Sequence, residues 1–234
     1  MILAKKRRSL REFDQKRKLF WNLVIVAVMF GFAFSASAQA EPETEAKGRP
    51  VGTTAVYGVV VDNSGAFRMM IERVNKTLTT VVKSNDDGVQ TFLITFIDPS
   101  KFNIRQEATR DKDEIADAIE NIYAEAGRST FLDGLKFAVD HIAEIETVKE
   151  VRRSLLIVTD GDDKGSIAKA DLVIKIAKDN KVKLFFIGIS ETKVNAKLLD
   201  RLAKETGGSV FYPKTREEMQ GMAETISKAV TGRQ

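Results

Sequence analysis

Apolar and polar positions alternate along this chain with two periods, and the switches between them mark its elements. Ala55 to Val61, AVYGVVV, is a nearly continuous apolar run that stops at Asp62. A short run that is apolar at odd and even positions alike suits a strand buried on both faces, as in a parallel sheet. The polar turn Asn63-Ser64-Gly65 follows, and a helical pattern is expected from about Ala66, with Phe67, Ile71, Val74, Leu78 and Val81 on one face. Residues 91–97, TFLITFI, read as the second strand, closed by Asp98-Pro99-Ser100. Residues 102–108 return after a short turn, which predicts an antiparallel third strand. Asp111 and Glu114 form an N-terminal cap pair, and Ile115, Ile119 and Ile122 follow as a buried stripe.

The second half repeats the alternation. After the loop Ala126-Gly127-Arg128-Ser129-Thr130, the residues Phe131, Leu135, Ala138 and Ile142 mark a helix. The strand SLLIVT ends at Asp160 and gives way to the polar loop Gly161-Asp162-Asp163-Lys164-Gly165. Leu172, Val173, Ile176 and Ala177 are the expected inward face of the next helix. Residues 182–189 form another buried strand, and Leu198, Leu199 and Leu202 a short helix closed by Gly207. Residues 209–212 are a last short strand; Thr215 and Glu218 then form a capping box for a closing helix carrying Met219, Met222, Ile226 and Val230. The order predicts a Rossmann-like α/β fold in three layers. Its central sheet has about six strands, mostly parallel, with one antiparallel edge strand.

Charge changes the picture at one end only. The chain has 234 residues and a formal charge of +4, but residues 1–40 hold eight Lys and Arg against two acidic residues. The remainder carries 29 basic and 31 acidic residues, so the basicity gives no argument for nucleic-acid binding by the folded part. Lys5 to Lys18 form a basic stretch, residues 20–35 are apolar, and Ala36-Ser-Ala38 and Ala38-Gln-Ala40 are small-x-small sites. The pattern is that of an export signal over residues 1–40, cleaved after Ala40 or kept as an N-terminal anchor. Residues 41–52, rich in polar residues and holding two of the four prolines, read as a linker to a domain over 53–232. The protein is therefore expected to be exported, to the periplasm or the surface of a bacterial cell. Membrane contact is expected only through the N-terminal segment, if it is uncleaved. The chain has no cysteine, which removes thiol catalysis, thiolate metal sites and disulfides together.

Three polar clusters fall at strand ends or helix starts: Asp62 with Ser64, Ser129 with Thr130, and Asp160 with Asp162 and Asp163. In an open α/β sheet the loops at the carboxyl ends of the strands lie together and form the usual ligand crevice. Carboxylates and hydroxyls without His or Cys are hard donors, suited to Mg²⁺, Mn²⁺ or Ca²⁺. In Asp62-Asn63-Ser64-Gly65-Ala66, Thr130 and Thr159-Asp160-Gly161 the sequence resembles the von Willebrand factor type A domain. That family carries a metal-ion-dependent adhesion site as Asp-x-Ser-x-Ser, a loop threonine in a Gly-x-Thr or Ser-Thr context, and an aspartate within Thr-Asp-Gly. The ending Gly207-Gly208-Ser209-Val210-Phe211-Tyr212 is similar to exported bacterial members. The resemblance implies metal ligands at Asp62, Ser64, Thr130 and Asp160, and a partner protein that offers an acidic side chain to the cation. Ala66 departs from the pattern where the second serine belongs. It implies a degenerate site that holds Mg²⁺ (or Mn²⁺ or Ca²⁺) weakly, or a relic beneath a metal-independent interaction surface.

An enzyme reading competes for the same residues. Asp160-Gly161-Asp162 resembles the Asp-x-Asp of Mg²⁺-dependent haloacid-dehalogenase-type phosphatases. Those enzymes carry the motif on the first strand with Thr or Val at its fifth position, where this chain has Lys164. No Gly-x-Ser-x-Gly elbow, Gly-x-Gly-x-x-Gly turn or Walker loop occurs. The expectation is a non-enzymatic protein-binding module. Asp162 and Asp163 are expected in a solvated loop, His141 on a helix flank, and Met69 and Met70 as packing residues.

Overall fold

Strand β1, Ala55–Asp62, is buried along its whole length, which its apolar run requires. A computed structural model describes residues 52–147 and 149–233; the expected export signal and nearly all of the linker lie outside the described residues. β1 lies at the centre of a six-stranded sheet ordered β3-β2-β1-β4-β5-β6. The other strands are β2 (Val89–Phe96), β3 (Phe102–Thr109), β4 (Arg152–Thr159), β5 (Val182–Gly188) and β6 (Val210–Phe211). All neighbours pair parallel except β2 and β3, so the expected antiparallel edge strand is found in place.

Alternation along β1 divides the core. Tyr57, Val59 and Val61 pack with helices α1 (Ile71–Lys83), α2 (Lys112–Glu120), α6 (Arg216–Gly221) and α7 (Ala223–Thr231). Val56 and Val60 pack on the opposite face with α3 (Phe131–Glu144), α4 (Ala170–Asp179) and α5 (Ala196–Thr206). Burying every side chain of the central strand is what fixes its register: a slip of one residue would exchange the two faces. Caps set the ends of the helices. Asp111 accepts hydrogen bonds from the amides of Asp113 and Glu114, and Thr215 accepts one from the amide of Glu218. The Gly-Gly before β6 has a steric cause, because a Cβ on Gly208 would stand 1.8 Å from the Leu184 carbonyl oxygen.

Several local expectations are corrected. The helix after β1 does not begin at Ala66: Gly65–Phe67 is one 3-10 turn, and α1 starts at Ile71. Phe67 and Met70 are both buried, which anchors this intervening turn, whereas Met69 is 78% exposed and does not pack. The inward face of α4 is Val173, Ile174 and Ala177, with Leu172 exposed. The closing helix is two, divided at Met222 just after Gly221, a poor helix former.

The topology also places the ligand crevice. β1 runs on through α1 to β2 on one side, while β4 pairs with its other side, Val61 standing beside Val158. Connections leave β1 and β4 in opposite directions, which opens a crevice at their carboxyl ends.

Candidate functional site

Asp62 closes β1 and Asp160 follows the last residue of β4, so both stand at that crevice. Asp62, Asn63 and Ser64 are all buried. The Ser64 amide donates to Asp62 Oδ1 at 3.0 Å, folding the turn back onto the carboxylate. Asn63 is turned away to the neighbouring segment. Its side-chain amide donates to the Tyr123 carbonyl at 3.1 Å, and its own carbonyl accepts from the Glu125 amide at 2.8 Å. It thereby fastens the first loop to the segment that leads into α3. Ala66 is exposed on the 3-10 turn, with only a methyl group to offer.

The second loop presents two hydroxyls in different states. Thr130 is held by its amide, 2.7 Å from the Ile97 carbonyl, and its Oγ1 donates to the same oxygen at 3.3 Å. That bond uses the hydroxyl proton and leaves the oxygen lone pairs available. Ser129 Oγ, by contrast, is buried without a partner. Its carbonyl accepts from the Lys164 amide at 2.8 Å, which ties this loop to the third. In the third loop Asp160 Oδ1 accepts from the Asp162 amide at 2.8 Å. Gly161 turns the chain at φ 72°, a conformation that disfavours a side chain.

Electrostatics single out Asp62. Burial pushes its pKa up from 3.8 to about 6; the Ser129 hydroxyl and the Ser64 amide and hydroxyl temper the rise, and the charge of Asp160 adds slightly to it. The Ser129 hydroxyl is near enough to temper the shift but is not in hydrogen-bond geometry, so Ser129 Oγ and Asp62 Oδ2 both remain buried and unpaired. Burial raises the pKa of Asp160 as well. A cation between the two carboxylates would reverse both shifts, because it supplies the opposite charge that the protein omits. The donors fit a hard cation: two carboxylates and the hydroxyls of Ser64, Ser129 and Thr130. Among the described residues no group of three or more His, Cys, Asp or Glu could hold a metal, so hydroxyls and water must complete any coordination sphere here.

Other residues settle elsewhere. His141 lies on α3 with its ring edge-on to Phe92 at 4.8 Å. Asp162 is exposed and pairs with Lys164 at 2.7 Å. Asp163 corrects the expectation of a solvated loop, because it accepts from the Ser166 hydroxyl and, at 3.4 Å, from the Leu132 amide. Although the resemblance assigns the ligand role to Thr130, the sequence already places Ser129 in the same polar cluster. Its signal was the spacing Gly127-Arg128-Ser129, which puts a hydroxyl two residues after a glycine, as in the Gly-x-Thr context.

A family model of the von Willebrand factor type A domain matches residues 58–225, from within β1 into α7. This chain belongs to that family. Domains of this kind are generally non-enzymatic interaction modules. Solved structures share the fold of this von Willebrand factor type A (VWA) domain at low sequence identity. An aerotolerance-related membrane protein from Bacteroides fragilis is 16% identical with a TM-score of 0.60, over 76% of this chain and 99% of that one. A von Willebrand factor type A protein from Catenulispora acidiphila is 14% identical with a TM-score of 0.63, over 78% of this chain and 44% of that one. The proximal thread matrix protein 1 of the mussel byssus, solved with zinc in its metal-ion-dependent adhesion site, is 19% identical with a TM-score of 0.62. The match covers 77% of this VWA domain chain and 46% of the mussel protein. Among the described residues no helix is long and apolar enough to cross a membrane.

Proposed function

We propose that this VWA domain is a non-enzymatic protein-binding module, for adhesion or scaffolding, that docks an acidic side chain of a partner protein onto a divalent cation. Asp62, Ser64, Thr130 and Asp160 hold the cation directly or through water, and Ser129 joins them. Mg²⁺, with Mn²⁺ or Ca²⁺ as substitutes, is the matching class of ion. The observation that carries the reading is the pair of buried, unpartnered oxygens, Asp62 Oδ2 and Ser129 Oγ, at the switch point of the sheet. What marks this pair among the buried unpartnered atoms is its place at the carboxyl ends of β1 and β4, where a single cation would partner both oxygens. The bound cation accepts one further carboxylate. Asp62 and Asp160 formally balance its charge, Asn63 holds the first loop, and the hydroxyls are neutral donors, so an open coordination position is what the further carboxylate takes. The family match and the fold neighbours support an interaction role. The basic and apolar N-terminal segment supports export, to the periplasm or cell surface.

A metal-independent interface on the same face is the second reading, favoured by one observation. Ala66 is exposed where the family pattern places an oxygen. Thermal melts in EDTA and with added Mg²⁺, Mn²⁺ or Ca²⁺ separate the two. A cation that binds only the folded state raises the melting temperature with concentration. The metal reading expects such a rise in the unaltered protein and its loss in Asp160→Ala. Identical melts under all conditions would leave the metal-independent surface.

A further inference from the structure

The loop after Asp160 has no regular structure until α4, yet it is fastened at both ends. Asn195, before α5, binds the carbonyls of Asp160 and Gly161 at 2.8 and 3.3 Å, and the rest is tied to Ser129 and the first turn of α3. Asp133 Oδ1 accepts from the Ala168 amide at 2.8 Å, and its Oδ2 from the Ile167 amide at 3.0 Å. In return, the Asp133 amide donates to Ser166 Oγ at 3.1 Å. The Ser166 hydroxyl donates to Asp163 Oδ1, which also takes the Leu132 amide at 3.4 Å. Nearer the site, the Lys164 amide donates to the Ser129 carbonyl at 2.8 Å.

We propose that Asp133 is a positioning residue for cation capture: it locks the loop that carries Asp160 to the helix turn that carries Ser129 and Thr130. The inference rests on the cation reading above and adds a residue that touches no ion. An aspartate in the first turn of a helix ordinarily acts on its own helix, by capping free amides or through the dipole. Asp133 does otherwise. Both of its oxygens are used by amides 34 and 35 residues later in the chain. The need for the lock is local. Gly165 sits at φ 126°, and Ile167 is 87% exposed, so neither backbone preference nor burial of Ile167 fixes this loop. Without the Asp133 carboxylate the loop keeps the bonds of Asp163, Lys164 and Ser166, and Asp160 stays tied by its carbonyl to the Asn195 amide at 2.8 Å. What loosens is the stretch beyond Asp162, whose amide orients the Asp160 carboxylate and so bears on its distance to Ser129. A cation bound by ligands from three separate loops needs that distance set in advance, because ordering the loop on binding would subtract from affinity.

The test is Mn²⁺ binding by titration calorimetry, with amide hydrogen exchange on the same cation-free proteins. Asp133→Ala is expected to weaken Mn²⁺ binding about tenfold, the usual effect of losing a group that orients metal ligands. It should also speed exchange at Ile167, Ala168 and Asp162. Asp133→Asn keeps one carbonyl acceptor and should fall between Asp133→Ala and the unaltered protein in both readouts; it also serves if the alanine variant does not fold. Ser166→Ala combined with Asp133→Ala should weaken binding by less than the product of the single effects, because both act through one lock. Mn²⁺ affinity within twofold of the unaltered protein in both Asp133 variants would overturn the positioning role alone. Absence of Mn²⁺ binding in the unaltered protein would overturn the cation reading, and this role with it.

Discussion

Strand β1 ends in two buried polar clusters that look alike by residue type and differ in how they are satisfied. Near its start, the Tyr57 hydroxyl and the Asn85 side chain bond to each other at 3.0–3.2 Å. Asn85 also donates to Thr91 Oγ1 at 3.1 Å, and the Ser227 hydroxyl donates to Asn85 Oδ1 at 3.5 Å. At the rim of the cluster, Arg233 Nη2 donates to Ser227 Oγ at 3.3 Å, while its Nε is buried without a partner. Burial pushes the Tyr57 pKa up to about 12, so the phenol stays neutral and donates. Near its end, Asp62 and Ser129 have the same burial but carry oxygens with no partner. A complete network of this kind rigidifies a core, whereas an incomplete one destabilises it unless something else completes it. The first cluster holds the fold together; the second tolerates a defect for the sake of a ligand. Substitutions at the two ends should therefore move stability in opposite directions.

The largest effect belongs to the satisfied end. Asn85→Ala removes the hub, strands the Tyr57 and Thr91 hydroxyls and leaves the Ser227 hydroxyl proton without its acceptor. A loss of about 4 kcal/mol is expected, from several buried groups each costing about 1–3 kcal/mol when unpaired. Chemical denaturation measures it. The melting shift produced by Mn²⁺ should survive in this variant, because the cation site lies at the other end of the strand. A loss below about 1 kcal/mol would mean that the two ends do not differ.

Next is the pH dependence of the unsatisfied end. Unfolded Asp62 releases its proton near the ordinary 3.8, and folded Asp62 holds it to about 6. This contribution to stability is fully present below about pH 3.8 and is lost as the pH rises through 6. The shift corresponds to about 3 kcal/mol. Denaturation in EDTA at stepped pH should show that decline, and Asp62→Asn should remove it. Added Mn²⁺ should oppose the decline, and its affinity should rise up to about pH 6 as the competing proton leaves. A decline of equal size in Asp62→Asn would assign the titration to other groups.

Asp62→Asn has a second consequence, smaller and opposite in sign to that of Asn85→Ala. At pH 7.5 without cation it removes a buried charge but keeps a polar group. A gain of about 1–2 kcal/mol follows, once the unpaired amide is set against the relief of desolvation. The same variant should lose its melting response to Mn²⁺. Stability gained together with binding lost is what separates a ligand residue from a structural one. A destabilised Asp62→Asn would place this end in the same class as the Tyr57 cluster.

The fold was legible in the sequence because its signal is periodic and redundant. Seven apolar residues from Ala55 to Val61 can hardly be anything but a buried strand, and the helix stripes at Ile115 and Ile119 or Leu199 and Leu202 face the sheet as their spacing requires. Errors fell where one turn had to be read without a period. Met69 and Leu172 are apolar and exposed, and the 3-10 turn Gly65–Phe67 sits where an α-helix was expected. The site was legible in its carboxylates, since strand ends are easy to place. The hydroxyls were harder. Ser129 and Thr130 are adjacent, and only three-dimensional structure distinguishes the one whose proton is used by Ile97 from the one left unpaired. Asp133 carried no sequence signal beyond that of an ordinary first-turn acid. Its partners are the amides of Ile167 and Ala168, distant in sequence, and backbone amides look the same at every position.

Ala66 gives the smallest effect and the finest distinction. It is exposed on the 3-10 turn, so Ala66→Ser should change cation-free stability by no more than about 0.5 kcal/mol. Its added hydroxyl would stand where the family pattern carries an oxygen. If the cation otherwise takes a water at that position, the serine replaces a neutral donor with one already held by the chain. The gain is then the ordering of one water and no new charge. About fivefold tighter Mn²⁺ binding is expected, equivalent to about 1 kcal/mol. Calorimetric titration of the two proteins side by side measures it. The same gain should appear in the Asp133→Ala background, because the added hydroxyl would act in the first loop and Asp133 acts between the second and third. Unchanged affinity would show that the site completes its coordination without that position, and Ala66 would then be an adaptation of this domain and not a defect in it.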